Sequence, residues 1–519
     1  MLARSAPKRV SAVWVGSDGL LKNLKRTDYT TSMIACIAAA VLSVSASHQL
    51  HVEGTKIVDE QGLEFRIHGV NIPSLEWAAK GEHMDESVPT AFDKWQANFI
   101  RVPLSQDRWF GKAPDSGDDG SNYRSIVDSV VKQAESRGKY VLLDLHWSDC
   151  GAWGKDIGQH ALPDANSLTF WKDCAKRFAN RAAVWFDLYN EPIEAPWAVW
   201  RDGGDVTETF NGKKMSYPAV GLQTLLTAIR GVGAKNLIVA GGLGYSSRLD
   251  GILVHPLEEE GGFGVVYADH FYPGWGSVED WEPTVVAFSK KLPLVISEFG
   301  ADPKMNPLDD PARRVLDVLD VLKRNDFNWV AWCFHPAASP CLIEDWTFKP
   351  TSYFGVNVLA ALKGSPLLAP VRVTALPSAT IYDGKLENGF QSWGSAAVDF
   401  ASTLHYAEHA SMRVDLKGDK RLQLGAMPFD GLPYKAISFW IHGGDNGNQT
   451  LHLAVNIMDR EAGSVALPNP QAGKWTKIEV PFSKLGVEGR DHVKSFSIRG
   501  GTSDVEPFYV ADITLVGKS

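Results

Sequence analysis

Between residue 51 and about residue 362 the chain alternates, eight times over, a short apolar run rich in β-branched residues with a longer stretch of helical period. That alternation commits a chain to βα units and a parallel sheet. The strand-like runs are residues 65–70, 99–103, 140–145, 184–189, 237–240, 265–270, 294–298 and 329–332. Between them, segments such as 123–136, 167–180, 220–232 and 311–324 carry apolar residues at three- and four-residue spacing, which predicts amphipathic helices. Eight repeats over this length fit a closed (β/α)8 TIM barrel better than an open doubly wound sheet.

After Leu362 the texture changes. Gly364, Pro366, Pro370 and Pro377 punctuate a stretch without helical period, read as a linker over 363–379. Strand-like runs then recur at 437–441, 451–457, 475–480, 493–498 and 508–516 between Gly, Asp and Asn clusters. This predicts an all-β jelly-roll sandwich domain over 380–519. At the other end, residues 33–44 are almost wholly apolar, short for a membrane span, preceded by Lys22, Lys25 and Arg26 and followed by small residues. Residues 1–46 therefore read as a signal peptide with an extended n-region, with an uncleaved anchor as the alternative. The expected protein is secreted, extracellular or periplasmic, free of the membrane after cleavage and monomeric, with its catalytic barrel over 47–362. A net charge of −9 without a dense Lys/Arg stripe argues against a nucleic-acid partner. Beyond Cys36, four cysteines allow three pairings; proximity favours Cys150 with Cys174 and Cys333 with Cys341, and buried free thiols are the alternative.

In a barrel of this kind the active site lies where the strands end. The second strand ends near Arg101, His146 ends the third, Asn190 and Glu191 follow the fourth, His270 ends the sixth with Tyr272 just after, Glu298 ends the seventh, and Trp332 the eighth. Each alone has an ordinary structural explanation, since a strand-end His or Arg often serves packing. Two glutamates directly after apolar strands are harder to explain that way, because Glu is rarely buried unpaired. Glycosidic hydrolysis needs such a pair: one carboxylic acid protonates the leaving oxygen while a carboxylate attacks or guides water. The two histidines lack metal-ligand spacing, and the reaction calls for neither metal nor cofactor.

The motifs NFIRVPL, LLDLHW, LYNEP, ADHFY, ISEFG and VAWCF resemble glycoside hydrolase family 5, a family of retaining (β/α)8 hydrolases, across roughly residues 50–362. The resemblance implies Glu191 as acid/base and Glu298 as nucleophile. It also implies that Asn190 bonds the sugar 2-hydroxyl, that Arg101 and Tyr272 hold and ionise Glu298, and that His146, His270 and Trp332 line the glycone subsite. Loop residues Trp147, Trp153, Trp197, Trp200 and Trp275 are candidates for stacking on sugar rings.

The expected partner is a β-linked polysaccharide or oligosaccharide, and the expected activity an endo-β-1,4-glucanase (cellulase). The alternatives are a β-mannanase or related β-glycanase and a non-catalytic polysaccharide-binding protein. The sandwich resembles in outline the accessory, carbohydrate-binding-like modules of secreted glycosidases. Its candidate platforms are Trp393, Tyr406, Trp440 and Trp475, although the mid-strand place of Trp440 favours the core.

Overall fold

The computed structural model describes residues 47–149, 158–210, 213–273, 276–369 and 371–518. The leader read over 1–46, Cys150, Trp153 and Trp275 lie outside the described residues. Eight parallel strands close into a barrel: β1 (His68–Asn71), β2 (Phe99–Ser105), β3 (Tyr140–Trp147), β4 (Val184–Asp187), β5 (Ile238–Gly241), β6 (Val265–Phe271), β7 (Leu294–Phe299) and β8 (Asn328–Ala331), with β8 returning to β1. Every strand falls on a run predicted from the sequence. The first starts later than expected because the Phe65 amide donates to the Ile57 carbonyl (2.8 Å), joining residues 65–66 to an N-terminal hairpin rather than to the barrel. That hairpin, His51–Glu53 with Lys56–Val58, plugs the barrel floor, burying Leu50 and Ile57 among the inward residues Phe99, Leu142, Trp185 and Val239.

The period of two along each strand places a polar layer above this apolar floor. Arg101 stands two residues beyond Phe99, Asp144 two beyond Leu142, and Asp187 two beyond Trp185, all on the inward face and all essentially buried. Around the barrel run α1 (Ser121–Glu135), α2 (Ala165–Arg177), α3 (Leu222–Gly231), α4 (Val278–Ser289), α5 (Pro311–Arg324) and α6 (Gly355–Leu362). Their starts follow local chemistry. Asp164 and Ser167 form a reciprocal capping box on α2, and Asp310 caps α5, whose first residue is the helix-compatible Pro311.

Beyond α6, two antiparallel sheets enclose a second core. Their strands are β9 (Ala379–Tyr382), β10 (Gln391–Ser392), β11 (Ala397–Tyr406), β12 (His409–Leu416), β13 (Arg421–Phe429), β14 (Tyr434–His442), β15 (His452–Ile457), β16 (Arg460–Ala466), β17 (Trp475–Pro481), β18 (Val493–Arg499) and β19 (Val505–Gly517). One sheet has the order β11-β12-β19-β14-β17 with β9 on β19, the other β10-β13-β18-β15-β16. In chain order β12, β13, β14, β15, β17, β18 and β19 alternate between the two sheets as in a jelly roll, while β16 stays beside β15. Residues such as Phe439, Ile441, Phe496, Phe508 and Val510 fill the space between them.

Several expectations are corrected. Trp200 is fully buried and donates its indole N–H to the Gly241 carbonyl (3.0 Å), so it is core rather than a sugar platform. Trp440 is not core: its strand neighbours Phe439 and Ile441 face inward, while the Trp440 ring lies outside the sheet, stacked on Tyr406 at 4.4 Å. Cys333 and Cys341 are not bridged, and Cys174 is likewise a buried free thiol. Burial drives the Cys333 and Cys174 thiols well above the usual range. A hairpin unforeseen in the sequence reading, Gly204–Phe210 paired with Lys213–Ala219, projects between β4 and α3.

Candidate active site

The site begins one layer below the mouth. The Arg101 guanidinium, 0% exposed, donates from Nε to Asp187 (2.9 Å), from NH1 to Glu298 (2.6 Å) and Asn71 (3.1 Å), and from NH2 to Asn190 (2.7 Å), with Asp144 at 3.0 Å. Its planar fork fixes four strands at once, which a lysine ammonium could not do. One cation faces three carboxylates. Burial raises Asp144 and Asp187 to about 7 each, against the pull of Arg101. The cluster thus binds protons near neutrality and leaves the cation to Glu298, which also accepts from the Tyr272 hydroxyl at 2.6 Å.

A register shift aims Glu298 inward. Asp269 pairs with Ile296 but His270 pairs with Glu298, so Ser297 is the extra residue of a bulge. Strict alternation would send Ser297 into the barrel and Glu298 out; the bulge brings both to the mouth. Ser297 uses its position to bond His270 Nε2 (2.9 Å).

Glu191 lies across from Glu298. Its Oε1 is 2.9 Å from His270 Nδ1, and burial raises its carboxyl to about 7, opposed by His146 and Arg101. Burial also lowers His270 to about 3 and His146 to about 4. A neutral His270 can donate from Nδ1 when Glu191 is ionised and accept there when Glu191 is protonated, with the Ser297 hydroxyl reversing its role at Nε2. His146 is held by Asp144 (2.7 Å), reaches Asn190 Nδ2 at 3.3 Å and stacks on Trp332 with ring centres 5.3 Å apart.

Arg101, His146, Asn190, Glu191, His270, Tyr272, Glu298 and Trp332 are therefore brought into one connected cluster. Trp147 stands apart from these contacts, half-buried with its ring against Gly158, where an added Cβ would meet it at 3.1 Å. The sequence reading missed the support beneath. Asn71, Asp144 and Asp187 had a visible signal, polar groups inside buried strands that must be paired. Gln159 had none: it accepts from Asn190 Nδ2 (2.8 Å) and donates to the Glu191 carbonyl, and only the fold brings it there. Its neighbour His160 sits between Asp149 (3.1 Å) and Glu208 of the projecting hairpin. Burial lowers this imidazole, but its hydrogen bonds to the two carboxylates outweigh that and raise it to about 10.

One atom each of Glu191, His270 and Glu298 lies within 4.8 Å of the others, close enough to share a cation. The donors argue otherwise. The Arg101 guanidinium on one Glu298 oxygen and the Tyr272 phenol on the other compete with a metal for this carboxylate, and the charge of Arg101 would repel a cation. A cleft of about 280 Å³ opens beside Glu191, walled by Tyr245, Phe271, Asp280 and Trp281. Trp281 stacks on Phe271 at 4.2 Å and donates to Asp269 (2.7 Å).

Residues 58–338 match the family described as cellulase (glycosyl hydrolase family 5). Cellulase CelDZ1 of a Thermoanaerobacterium species is 23% identical over 344 residues, covering 61% of this chain and 81% of that protein. An endoglucanase of Paenibacillus polymyxa is 25% identical over 384 residues, covering 63% and 92%. Among solved structures, the β-glucanase SdGluc5_26A of Saccharophagus degradans is similar with a TM-score of 0.48 and 21% identity, over 62% of this chain and 94% of that one.

Proposed function

This chain belongs to glycosyl hydrolase family 5, a glycoside hydrolase of the endoglucanase type acting on β-glucans, and from that premise we propose that it cuts internal β-1,4-glucosidic bonds by double displacement with retention. Glu298 is the nucleophile and Glu191 the acid/base. The observation carrying this reading is the unequal setting of the pair. Glu298 accepts hydrogen bonds from the Arg101 guanidinium and the Tyr272 hydroxyl, whereas burial keeps Glu191 protonated to about pH 7. Carboxylate oxygens within 4.8 Å support retention, since inversion needs about 6.5–9.5 Å to seat a water between the groups.

The other residues follow from position. Asn190, fixed by Arg101 and Gln159, is placed to bond the sugar 2-hydroxyl, and the stacked His146 and Trp332 form the glycone floor. The remainder of the reading is secretion, to the extracellular or periplasmic space, after loss of the apolar leader. The sandwich acts as a carbohydrate-binding-like module with exposed Trp393 and the Tyr406–Trp440 stack as platforms. Reducing-sugar release from carboxymethyl-cellulose, galactomannan, xyloglucan and laminarin, run beside Glu298→Gln, tests it. Activity on the cellulose derivative that disappears in the variant is expected. Activity confined to galactomannan would overturn the linkage assignment, and an undiminished variant would overturn the nucleophile.

A further inference from the structure

The sandwich reaches the catalytic cleft. The cleft beside Glu191 is lined by Tyr245, Phe271 and Trp281 of the barrel and also by Met458, which belongs to the turn between β15 and β16 of the sandwich. Met458 occupies a left-handed conformation with φ 47°. Glycine, asparagine or aspartate fills such a turn position at little cost, and a methionine does so against its backbone preference. The large apolar side chain therefore needs a reason to be there, and the cleft supplies one.

The turn is also held firmly against the barrel. The Met458 amide donates to the His492 carbonyl (3.0 Å), and the neighbouring Asp491 takes both Arg313 and Arg314 of α5. Arg313 further pairs with Asp430 (3.1 Å), Arg314 with Asp309, and the Asn306 amide with the Pro428 carbonyl (2.8 Å). Leu308 of the barrel's β7–α5 connection is buried within the sandwich core. His492 lies 3.8 Å from Glu279, in the first turn of the same helix α4 that gives Trp281 to the cleft. A domain anchored by buried, mutually satisfied charges holds a fixed position over the cleft, unlike one on a free tether.

We propose that Met458 is a substrate-contacting, specificity-determining residue. Through it the sandwich supplies one wall of the subsite that holds the leaving-group part of the glucan. This rests on the assignment of Glu191 as the acid, because the group that protonates the departing oxygen marks the leaving-group side of the scissile bond. Met458 joins Trp281, Phe271 and Tyr245 in the lining of this cleft, an apolar surface suited to the C–H faces of a glucosyl ring.

The test compares full-length wild type with Met458→Asn and Met458→Gly, both of which suit the left-handed turn and so keep the fold. Two substrates are used: cellohexaose, which needs sugar bound beyond the scissile bond, and 2,4-dinitrophenyl β-cellobioside, whose leaving group is not a sugar. The ratio of kcat/KM for cellohexaose to that for the aryl cellobioside is expected to fall about five- to tenfold in both variants, equivalent to about 1–1.4 kcal/mol, with Tm unchanged or raised. A ratio within twofold of wild type in both variants would refute the contact and leave the β-glucanase reading standing. A wild type inert toward both substrates would instead remove that reading and this inference with it.

Discussion

Replacing Arg101 with methionine removes the single cation serving Asp144, Asp187 and Glu298 while filling similar space. Breaking a fully buried ion pair by deleting one partner costs about 3–5 kcal/mol, because the remaining charge has no solvent to fall back on. The carboxylates can escape by taking up protons, and Asp144 and Asp187 do so near pH 7 even with Arg101 present. In the variant all three stay protonated in the fold to higher pH than in the unfolded chain, so the folded state binds more protons and stability falls as pH rises, by about 1.36 kcal/mol per pH unit for each extra proton. The loss relative to wild type is expected to be about 1–2 kcal/mol at pH 5 and to grow to about 3–5 kcal/mol at pH 7. For a cooperative unit of roughly 300 residues, with an unfolding entropy near 0.6 kcal/mol/K, the pH 7 value corresponds to a Tm lower by about 5–8 °C. Differential scanning calorimetry of both proteins at pH 5, 6, 7 and 8 measures this. A destabilisation independent of pH, or below about 1 kcal/mol at pH 7, would show that Arg101 does not neutralise this cluster.

Four further outcomes are expected. With Glu191 protonated up to about pH 7, kcat/KM on β-glucan should decline above that pH, and Glu191→Gln should lose about 10²–10⁴-fold on the polymer while sparing a dinitrophenyl glycoside, whose departure needs no proton; an unchanged alkaline limb in the variant would assign the acid elsewhere. Tyr272→Phe deletes a 2.6 Å hydrogen bond to Glu298 and should lower kcat about 10–100-fold, the range of one charge-assisted bond, with KM little altered; a KM effect alone would contradict its role on the nucleophile. His160 is raised to about 10, so its stabilising pairing with Asp149 and Glu208 is fully present below the unfolded value near 6.5 and lost as pH rises through about 10. Glu208→Gln should therefore cost more stability at pH 6 than at pH 10, and equal losses in calorimetry at the two values would disprove the pairing. Cys174, Cys333 and Cys341 should alkylate in denaturant without reductant and remain unlabelled in the native state; a requirement for reductant at Cys333 or Cys341, seen by peptide mass mapping, would restore the bridge.

The barrel was legible because its signal is local: each strand is a compact apolar run, and the functional groups stand at or just after a strand's end, except Arg101, which lies four residues short of the end of β2, one layer below the mouth. Glu298 could be placed at the mouth from PLVISEFG alone, but the bulge at Ser297 that turns it inward could not, since a shift of register depends on the partner strand. The hairpin at 204–219 carries a local signal, alternating residues about Asn211-Gly212, the strongest short-range hairpin mark. Trp200 and Trp440 were misassigned in opposite senses because an aromatic residue fits core and surface alike, and only the pleat and helix orientation decide. The union of Arg313 and Arg314 with Asp430 and Asp491 spans more than a hundred residues of chain, and nothing in a single sequence pairs such charges.

The central claim is that Glu298 bonds covalently to the sugar and that the product retains its configuration. Incubation with a 2-deoxy-2-fluoro-β-cellobioside carrying a dinitrophenyl leaving group, which forms the glycosyl-enzyme quickly and releases it slowly, followed by peptide mass mapping, tests it directly. The account predicts a single fluoro-cellobiosyl adduct on the peptide containing Glu298. An adduct on Glu191, or an active enzyme that forms none while its first product is the α-anomer, would contradict it.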